Sequence, residues 1–223
     1  MNHRFYFDKT TINRSAHLRQ NDRLQIEQRG ITTVFIPVWN NMNLVTDQAI
    51  PRGVFLKGAE ADWIVEKASG LYFLGTKENL AFFGADLSHI KNLSSTRISE
   101  NTVFADLRGL ATTLNTEDAG YLAYARALSY WNNTHVYCGI CGSQTKSMKG
   151  GHERICSNDD CRRVHFPRTD PAVIMLITHP NEEKCLLGRN RRFRGLRFST
   201  IAGFVEPGES LENAVIREVN EET

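Results

Sequence analysis

Four of the five cysteines lie close together in the sequence, in a pattern that metal sites use. Two residues separate Cys138 from Cys141, and fourteen residues later Cys156 and Cys161 follow with four residues between them. Two such pairs can place four thiolates at the corners of a tetrahedron, with Zn–S distances of ~2.3 Å. A site closed by four thiolates binds its metal for folding, so the spacing predicts a structural zinc ion.

Two other interpretations of this cluster remain open at the level of sequence. An imidazole, that of His152 or His165, could replace one thiolate, and the four cysteines could instead be unlinked. The fifth cysteine, Cys185, lies in an apolar stretch and is expected to be a small buried hydrophobic residue rather than a nucleophile. An odd cysteine count without an apolar export segment argues against a disulfide framework.

A second group of residues that could do chemistry lies near the end of the sequence. Its members are, in order, Gly203, Glu209, Arg217, Glu218, Glu221 and Glu222. On a helix that turns ~100° per residue, Glu221 and Glu222 fall within about 60° of Glu218. The apolar residues Leu211, Val215 and Val219 fall in an overlapping sector, so these carboxylates are not confined to a solvated face.

Carboxylates at the edge of a buried face cost free energy unless they are paired or coordinated. Hard oxygen ligands at positions i, i+3 and i+4 suit Mg²⁺ or Mn²⁺, which keep several waters and bridge to phosphates. Arg217 is predicted to be the internal partner of one carboxylate, that of Glu209. The alternative role for Arg217 is that of an exposed helix cation.

Several elements must position these groups. Short β-like runs at 33–39, 54–56, 71–74 and 80–83 predict a small, mainly β domain. Leu122, Ala125, Leu128 and Trp131 have helical spacing, which predicts a helix from Thr116 to about Asn133. Strands are predicted at 172–178, 185–189 and 198–204, and a helix after the turn at 206–208.

The resulting fold class is α+β, in three domains: a mainly β domain at 1–133, a four-cysteine zinc ribbon at 134–166 and a third domain at 167–223 that carries the acidic helix. The chain has 223 residues, 41% of them hydrophobic, and 27 basic against 25 acidic side chains leave a net charge of +2, which suggests neither disorder nor a polyanion-binding tail. The longest apolar run, Ala172 to Ile177, is far shorter than the ~20 residues of a membrane span, so we expect no membrane association and a cytoplasmic location.

The pattern from Gly203 to Glu222 resembles the Nudix box, Gly-x5-Glu-x7-Arg-Glu-U-x-Glu-Glu-x-Gly-U, where U is aliphatic. Together with the four-cysteine ribbon and the segment from Phe166 to Ile174, the chain is similar to the NADH pyrophosphatase family of Nudix hydrolases. That family has an N-terminal domain, a zinc ribbon and a catalytic Nudix domain in this order. The resemblance implies that 167–223 is the first part of a Nudix α/β/α sandwich.

The resemblance also implies an activity: hydrolysis of the pyrophosphate of NAD(H) to nicotinamide mononucleotide and AMP, and removal of NAD caps from RNA in some members. Glu218 and Glu222 would be ligands of Mg²⁺ or Mn²⁺, Glu221 would belong to the same cluster, and one of these glutamates would be the general base. The backbone carbonyl of Ala202 would also face a metal. Phe166 would stack on a base, and Arg108 would contact substrate. A homodimer is expected on the same ground.

The box lacks its final glycine and aliphatic residue, and the family's downstream NAD(H) specificity motif is absent from the printed residues. We therefore expect a fragment of a longer gene product with little activity of its own; a naturally shortened protein is the rival interpretation. Two other functions remain open. One is a Nudix hydrolase of another nucleoside diphosphate derivative, and the other is a non-catalytic module whose zinc ribbon binds RNA or protein.

Overall fold

A six-stranded mixed sheet is the centre of the first of two units, residues 1–167 and 168–223, into which the chain divides. The computed structural model describes residues 10–21, 26–27, 30–93, 98, 100–110, 113–189, 196 and 198–223. The strands are β1 (Thr32–Trp39), β2 (Met42–Thr46), β3 (Leu56–Lys57), β4 (Gly70–Lys77), β5 (Leu80–Asp86) and β6 (Thr102–Ala105). Their order is β4-β5-β1-β2-β6, with β3 also paired to β1, and only β1 and β5 run parallel.

Both faces of this sheet are covered, which explains the nearly continuous apolar sequence of β1. Alternate side chains of a strand point to opposite faces. Val34 and Ile36 lie in the cluster that packs against a long helix, whereas Phe35 lies in a second cluster with Trp63 and Ile64. The latter two belong to the short helix α1 (Asp62–Lys67).

The long helix follows a single turn of helix, α2 (Leu107–Leu110). It is α3 (Thr116–Thr134), and Asn115 caps it by accepting a 2.8 Å hydrogen bond from the Asp118 backbone N–H. The four apolar residues with helical spacing in this segment are all buried. The predicted helix is thus confirmed, with one residue added at its end.

The cysteine-rich segment forms a three-stranded antiparallel sheet of β7 (Thr145–Met148), β8 (Glu153–Cys156) and β9 (Val164–His165). Its turn packs closely on β4: a Cβ added at Gly150 would lie 2.7 Å from the Cβ of Phe73. Asn132 of α3 donates a 2.9 Å hydrogen bond to the carbonyl of Gly151. The ribbon therefore lies against the β domain within the first unit.

The second unit contains the antiparallel pair β10 (Ala172–Met175) and β11 (Ile201–Phe204), followed by α4 (Leu211–Glu222). Val173 and Met175 pack against Ala214 of the helix, and these three are the buried residues in the core of the second unit. The fold class predicted from sequence, α+β with a mainly β first part, is confirmed.

The structure corrects several predicted strands. Residues 185–189 form no strand, because this segment pairs only through single bridges of Cys185 to Thr178 and of Gly188 to Ser199. The strand expected from residue 198 begins at Ile201. The run at 54–56 contributes only Leu56 to β3, and the strand predicted at 172–178 ends at Met175. The strands β2 and β6 were not predicted, because their five and four residues are too few for a clear pattern in the sequence.

No helix in the described part of the chain combines the length and the apolar character that crossing a membrane requires.

Candidate active site and metal centre

The acidic helix α4 begins where the sequence provides a turn and a cap. The backbone of Gly208 has φ of 84°, a left-handed conformation that glycine adopts without strain. Ser210 then caps the helix through its hydroxyl, which accepts a 3.1 Å hydrogen bond from the Asn213 N–H. Before the cap, the Glu209 carboxylate accepts a 3.1 Å hydrogen bond from the Glu206 N–H.

Arg217 is the centre of the carboxylate cluster. Its guanidinium binds both oxygens of Glu209, with Nε to Oε1 at 3.0 Å and Nη2 to Oε2 at 3.1 Å, as the sequence suggested. Nη1 also donates to Glu218 at 2.8 Å and to Glu221 at 3.0 Å. The side chain of Arg217 is 24% exposed, so it is not a solvated cation.

These contacts shift the protonation equilibria of the cluster. The hydrogen bonds from Arg217, together with the N–H of Glu206, hold the pKa of Glu209 below its ordinary value. Glu209 and Glu218 raise the pKa of Arg217 further above its already high value. The pair of Glu209 and Arg217 is therefore charged at neutral pH.

Gly203 and Glu218 lie in contact across the strand and the helix. A Cβ added at Gly203 would overlap the carboxylate of Glu218. The carboxylate therefore fits against β11 only because residue 203 is a glycine. The Glu218 side chain is 12% exposed. Its Oε1 accepts the bond from Arg217, and within the described residues no hydrogen bond reaches Oε2.

Glu221 and Glu222 lie in a different environment from Glu218. Glu221 is 59% exposed, and Glu222 is exposed with no hydrogen bond or ion pair among the described residues. The expectation that all three carboxylates border a buried face is therefore correct for Glu218 and wrong for the other two, because the core beneath α4 is centred on Ala214, a turn or more before them. Ala202 is exposed on β11, opposite Ile174.

Two further residues predicted to contact substrate belong to the first unit. Arg108 lies on α2, is 81% exposed and is 3.8 Å from the carboxylate of Asp106. Phe166 follows β9 and is 64% exposed. Neither is a packed core residue, so both side chains are accessible.

The four cysteines come together as the spacing predicts. Their sulfur atoms all lie within 4.8 Å of one another, with Cys138 and Cys161 at 3.8 Å and Cys141 and Cys156 at 3.4 Å. A tetrahedron with Zn–S distances of ~2.3 Å has S–S edges of about 3.8 Å. The cluster thus has the donors and the dimensions of a structural zinc site.

Hydrogen bonds favour the thiolate form of two of these cysteines, Cys138 and Cys141. The hydroxyl and N–H of Ser143 lower the pKa of Cys141 to about 6. The backbone N–H groups of Cys141 and Ile140 lower the pKa of Cys138. Because the thiolate is the metal ligand, these donors favour the binding form. Burial instead raises the pKa of the Cys156 thiol to about 12, which a cation at the site would offset.

The structure decides between the alternative ligands. The Nε2 of His152 lies 2.7 Å from the carbonyl of Phe73 on the sheet, so this imidazole is a packing residue. The Nε2 of His165 lies 3.3 Å from the sulfur of Cys138 and can donate to it as a neighbour of the four-sulfur set. Cys185 is exposed, so its expected burial is wrong: the apolar segment around it does not pair as a strand.

Sequence reasoning missed two contributors to these sites. The carbonyl of Phe204 accepts a 2.8 Å hydrogen bond from Arg217 and ties the helix to β11. Ser143 acts on Cys141 through its hydroxyl and N–H. The first contact is made by backbone, so no residue type could have indicated it, whereas a serine two residues after Cys141 was a visible signal.

Comparison with known families gives two matches. Residues 32–131 match the NADH pyrophosphatase-like rudimentary NUDIX domain, and residues 168–223 match the NUDIX domain. The predicted resemblance to NADH pyrophosphatase-type Nudix proteins is thereby confirmed.

Curated proteins provide the second comparison. The chain is 46% identical over 116 residues to the human NAD-capped RNA hydrolase NUDT12, and this alignment covers 49% of the chain and 25% of that protein. It is 37% identical over 164 residues to Nudix hydrolase 19, chloroplastic, of Arabidopsis thaliana, where the alignment covers 69% of the chain and 36% of the relative. It is 33% identical over 147 residues to the NAD-capped RNA hydrolase NudC of Pseudomonas syringae pv. tomato, where the alignment covers 66% of the chain and 51% of the relative. The chain thus spans between a quarter and about half of the length of these relatives.

Proposed function

We propose, given that the chain carries a NADH pyrophosphatase-like rudimentary NUDIX domain at residues 32–131 and a NUDIX domain at residues 168–223, that the protein hydrolyses the pyrophosphate bond of NAD(H). The products are nicotinamide mononucleotide and AMP, and the NAD cap of RNA is a second substrate with the same bond. The names of the human and the Pseudomonas syringae relatives support this substrate class. The observation that carries the proposal is the Arg217 cluster, in which Arg217 binds Glu209 and Glu218 and the latter lies beside Gly203.

Mg²⁺ or Mn²⁺ is the proposed metal of this site. Carboxylate oxygens are the hard ligands that both ions prefer, and the cluster offers Glu218, Glu221 and Glu222 on consecutive turns of α4. A divalent cation bound there would neutralise charge on the phosphoanhydride and lower the pKa of a bound water. We assign Glu218 and Glu222 as ligands, with the carbonyl of Ala202 as a further oxygen donor.

The residues themselves have separate parts in this proposal. Arg217 positions Glu209 and Glu218, and its hydrogen bonds hold the pKa of Glu209 below the ordinary value. One of the three glutamates of the cluster, Glu218, Glu221 or Glu222, takes a proton from water as general base. Phe166 and Arg108 are accessible for a base and for a phosphate of the substrate.

The organisation of the whole protein follows the same proposal. The division into 1–133, 134–166 and 167–223 is supported by the two family matches on either side of the cysteine cluster. We assign zinc to the four cysteines, a homodimer to the assembled protein and the cytoplasm as its location. Metal analysis tests the zinc, light scattering tests the homodimer, and cell fractionation tests the cytoplasmic location.

The decisive experiment measures AMP release from NADH by the complete gene product that contains these residues. We expect turnover that requires added Mg²⁺ or Mn²⁺ and falls by at least about 100-fold in Glu222→Gln. Glu212→Gln, an exposed glutamate on the first turn of α4, is the matched control and should retain activity. Unchanged turnover in Glu222→Gln would overturn the proposed site.

Substrate choice is tested in the same assay with ADP-ribose and other nucleoside diphosphate derivatives. A preference for NADH and for NAD-capped RNA supports the proposal. A preference for another derivative would assign the alternative Nudix activity. Salt-dependent RNA retention with no hydrolysis of any of these compounds would assign the non-catalytic binding module instead.

A further inference from the structure

A large cavity lies in the first unit, where the β domain meets the ribbon, and the proposed hydrolysis does not use it. Its volume is about 920 Å³, within the ~300–1,000 Å³ that small-molecule sites usually occupy. Its walls come from the start of β4, the end of α3, the ribbon turn and the segment 19–21. We call it the ribbon pocket.

Arg154 of β8 lines the ribbon pocket as a buried cation, only 8% exposed. Its guanidinium donates to the side chain of Thr145 at 2.7 Å, to the carbonyl of Thr145 at 2.9 Å and to Asn132 at 3.0 Å. All three acceptors are neutral, and no described carboxylate lies within ion-pair distance of Arg154. Since a guanidinium has five N–H donors, two remain without a partner among the described residues.

Two further cations line the same cavity. The Nε of Arg19 is buried and has no hydrogen-bond partner in the described part of the chain. Lys149 lies on the ribbon turn and pairs at 2.8 Å with Glu153, which is outside the lining. The described lining contains three cations and no aspartate or glutamate. A buried cation without a counter-charge is costly, and an anion in the pocket would remove that cost.

Hydrogen bonds within the protein hold the polar side chains of the pocket in place. Asn132 accepts hydrogen bonds from Arg154 and Ser147 and donates to two backbone carbonyls, so it orients the cation. The buried carboxylate of Asp86 is not part of the lining, but it accepts a 2.6 Å hydrogen bond from the lining residue Ser69 and a 3.0 Å hydrogen bond from the lining residue Asn133. The site is therefore preorganised rather than assembled from mobile surface side chains.

Close backbone packing keeps the cavity in this shape. Gly151 has φ of 87°, and a Cβ there would overlap the ring of Tyr72. Leu71, Val136 and Met148 add an apolar part to the wall. A ligand with a charged end and an uncharged organic part fits this division.

We infer that the ribbon pocket binds a small phosphate monoester, with Arg19, Lys149 and Arg154 around the phosphate and the apolar wall against its organic group. Phosphate supplies the negative charge that Arg19 and Arg154 lack among the described residues, and it has enough oxygens to accept from Lys149 as well. The ribbon pocket is thus a second anion site, built from residues other than the Nudix box.

Titration calorimetry on the 223-residue chain tests this inference, with AMP as the probe and no Mg²⁺ or Mn²⁺ added. We expect saturable binding of AMP, competition by inorganic phosphate and no binding of adenosine. Arg19→Gln and Lys149→Gln should each weaken AMP binding about tenfold, because each removes a charged donor. Neither side chain is as buried as that of Arg154, so both variants are expected to fold, which circular dichroism checks.

Two controls separate this site from the others. Lys67→Gln removes an exposed cation from the end of α1 and should bind AMP as the unchanged chain does. Glu222→Gln should also bind AMP normally, so a failure of the proposed hydrolase site would not mimic a failure here. Binding of adenosine equal to that of AMP, or full AMP affinity in both Arg19→Gln and Lys149→Gln, would overturn the inference.

Discussion

At the scale of single residues, the candidate active site depends on one planar cation. Arg217 contacts three carboxylates and a backbone carbonyl at once, which a guanidinium can do because its donors spread in a rigid fork. The charge alone would not supply this geometry. The arrangement of the glutamates therefore depends on the shape of the residue at 217 as well as on its sign.

Replacing Arg217 with lysine tests this point. Lysine keeps the charge but cannot bind both oxygens of Glu209, so we expect activity or metal affinity to fall about 10- to 100-fold, as when a supporting partner of a metal ligand is lost. Mn²⁺ titration followed by electron paramagnetic resonance measures the affinity. Retained affinity in Arg217→Lys would show that charge alone is sufficient.

The close contact of Gly203 with Glu218 gives a second prediction at the scale of single residues. In Gly203→Ala the new Cβ would occupy the place of the Glu218 carboxylate, so this carboxylate must move and Mn²⁺ affinity should fall. Gly188→Ala is the matched control, because its Cβ would lie at an ordinary 3.6 Å from Ile201. Equal Mn²⁺ affinity in the two variants would contradict the assigned role of Gly203.

At the scale of elements, the ribbon strands and α3 are held by different forces. The strands β7, β8 and β9 are only two to four residues long, so the four thiolates beside them and the ion they would bind must supply much of their stability. The helix α3 instead carries a complete apolar stripe against the sheet. The two elements are therefore expected to respond to different perturbations.

Loss of the ribbon metal should unfold the ribbon. In Cys156→Ser we expect the zinc content to fall below one ion per chain and proteases to cleave within 138–161, since a structural zinc site stabilises its fold directly. Cys185→Ser, which changes the exposed cysteine outside the cluster, should keep both the zinc and the protection. Full zinc content in Cys156→Ser would show that the cluster is not the ligand set.

The cap of α3 gives a second prediction for this scale. Asn115→Ala removes the side-chain acceptor of the Asp118 N–H and should lower the free energy of unfolding by about 1 kcal/mol. Asn115→Ser keeps an acceptor and should recover most of this loss. Chemical denaturation of the three proteins measures the difference, and equal stability of Asn115→Ala would mean that the cap is dispensable.

At the scale of the whole molecule, the stability of the first unit is linked to pH through the buried carboxylate of Asp86. Burial disfavours its charged form, but the hydrogen bonds from Ser69, Ser88 and Asn133 outweigh this and hold the pKa below its ordinary value. A folded-state pKa below that of the unfolded chain means that the contribution to stability is present above the unfolded pKa of about 3.9 and is lost as pH falls through the folded value.

Asp86→Asn should therefore lose stability at neutral pH and show a weaker acid dependence than the unchanged chain. Thermal unfolding measured at several pH values between neutrality and acid checks both parts. Parallel curves for the two proteins would show that Asp86 does not control the acid dependence.

Local sequence patterns were sufficient to predict the two clusters of candidate site residues and the elements that carry them. Cysteine spacing predicted the four-sulfur cluster, the box pattern predicted the acidic helix and the Arg217–Glu209 pair, and apolar periodicity predicted α3. These features could be predicted because local spacing decides which side chains share a face or a turn. The roles of Glu218, Glu222, Ala202, Phe166 and Arg108 stay predictions.

The tertiary structure decided what depends on distant parts of the chain. The contact of Gly203 with Glu218, the exposure of Cys185 and of Glu221, and the position of His152 against Phe73 all result from how strands, helix and ribbon pack. The ribbon pocket is a further case, since Arg19 and Arg154 are 135 positions apart in the printed sequence. Burial and long-range contact are properties of the packed chain, and no local pattern of residue types contains them.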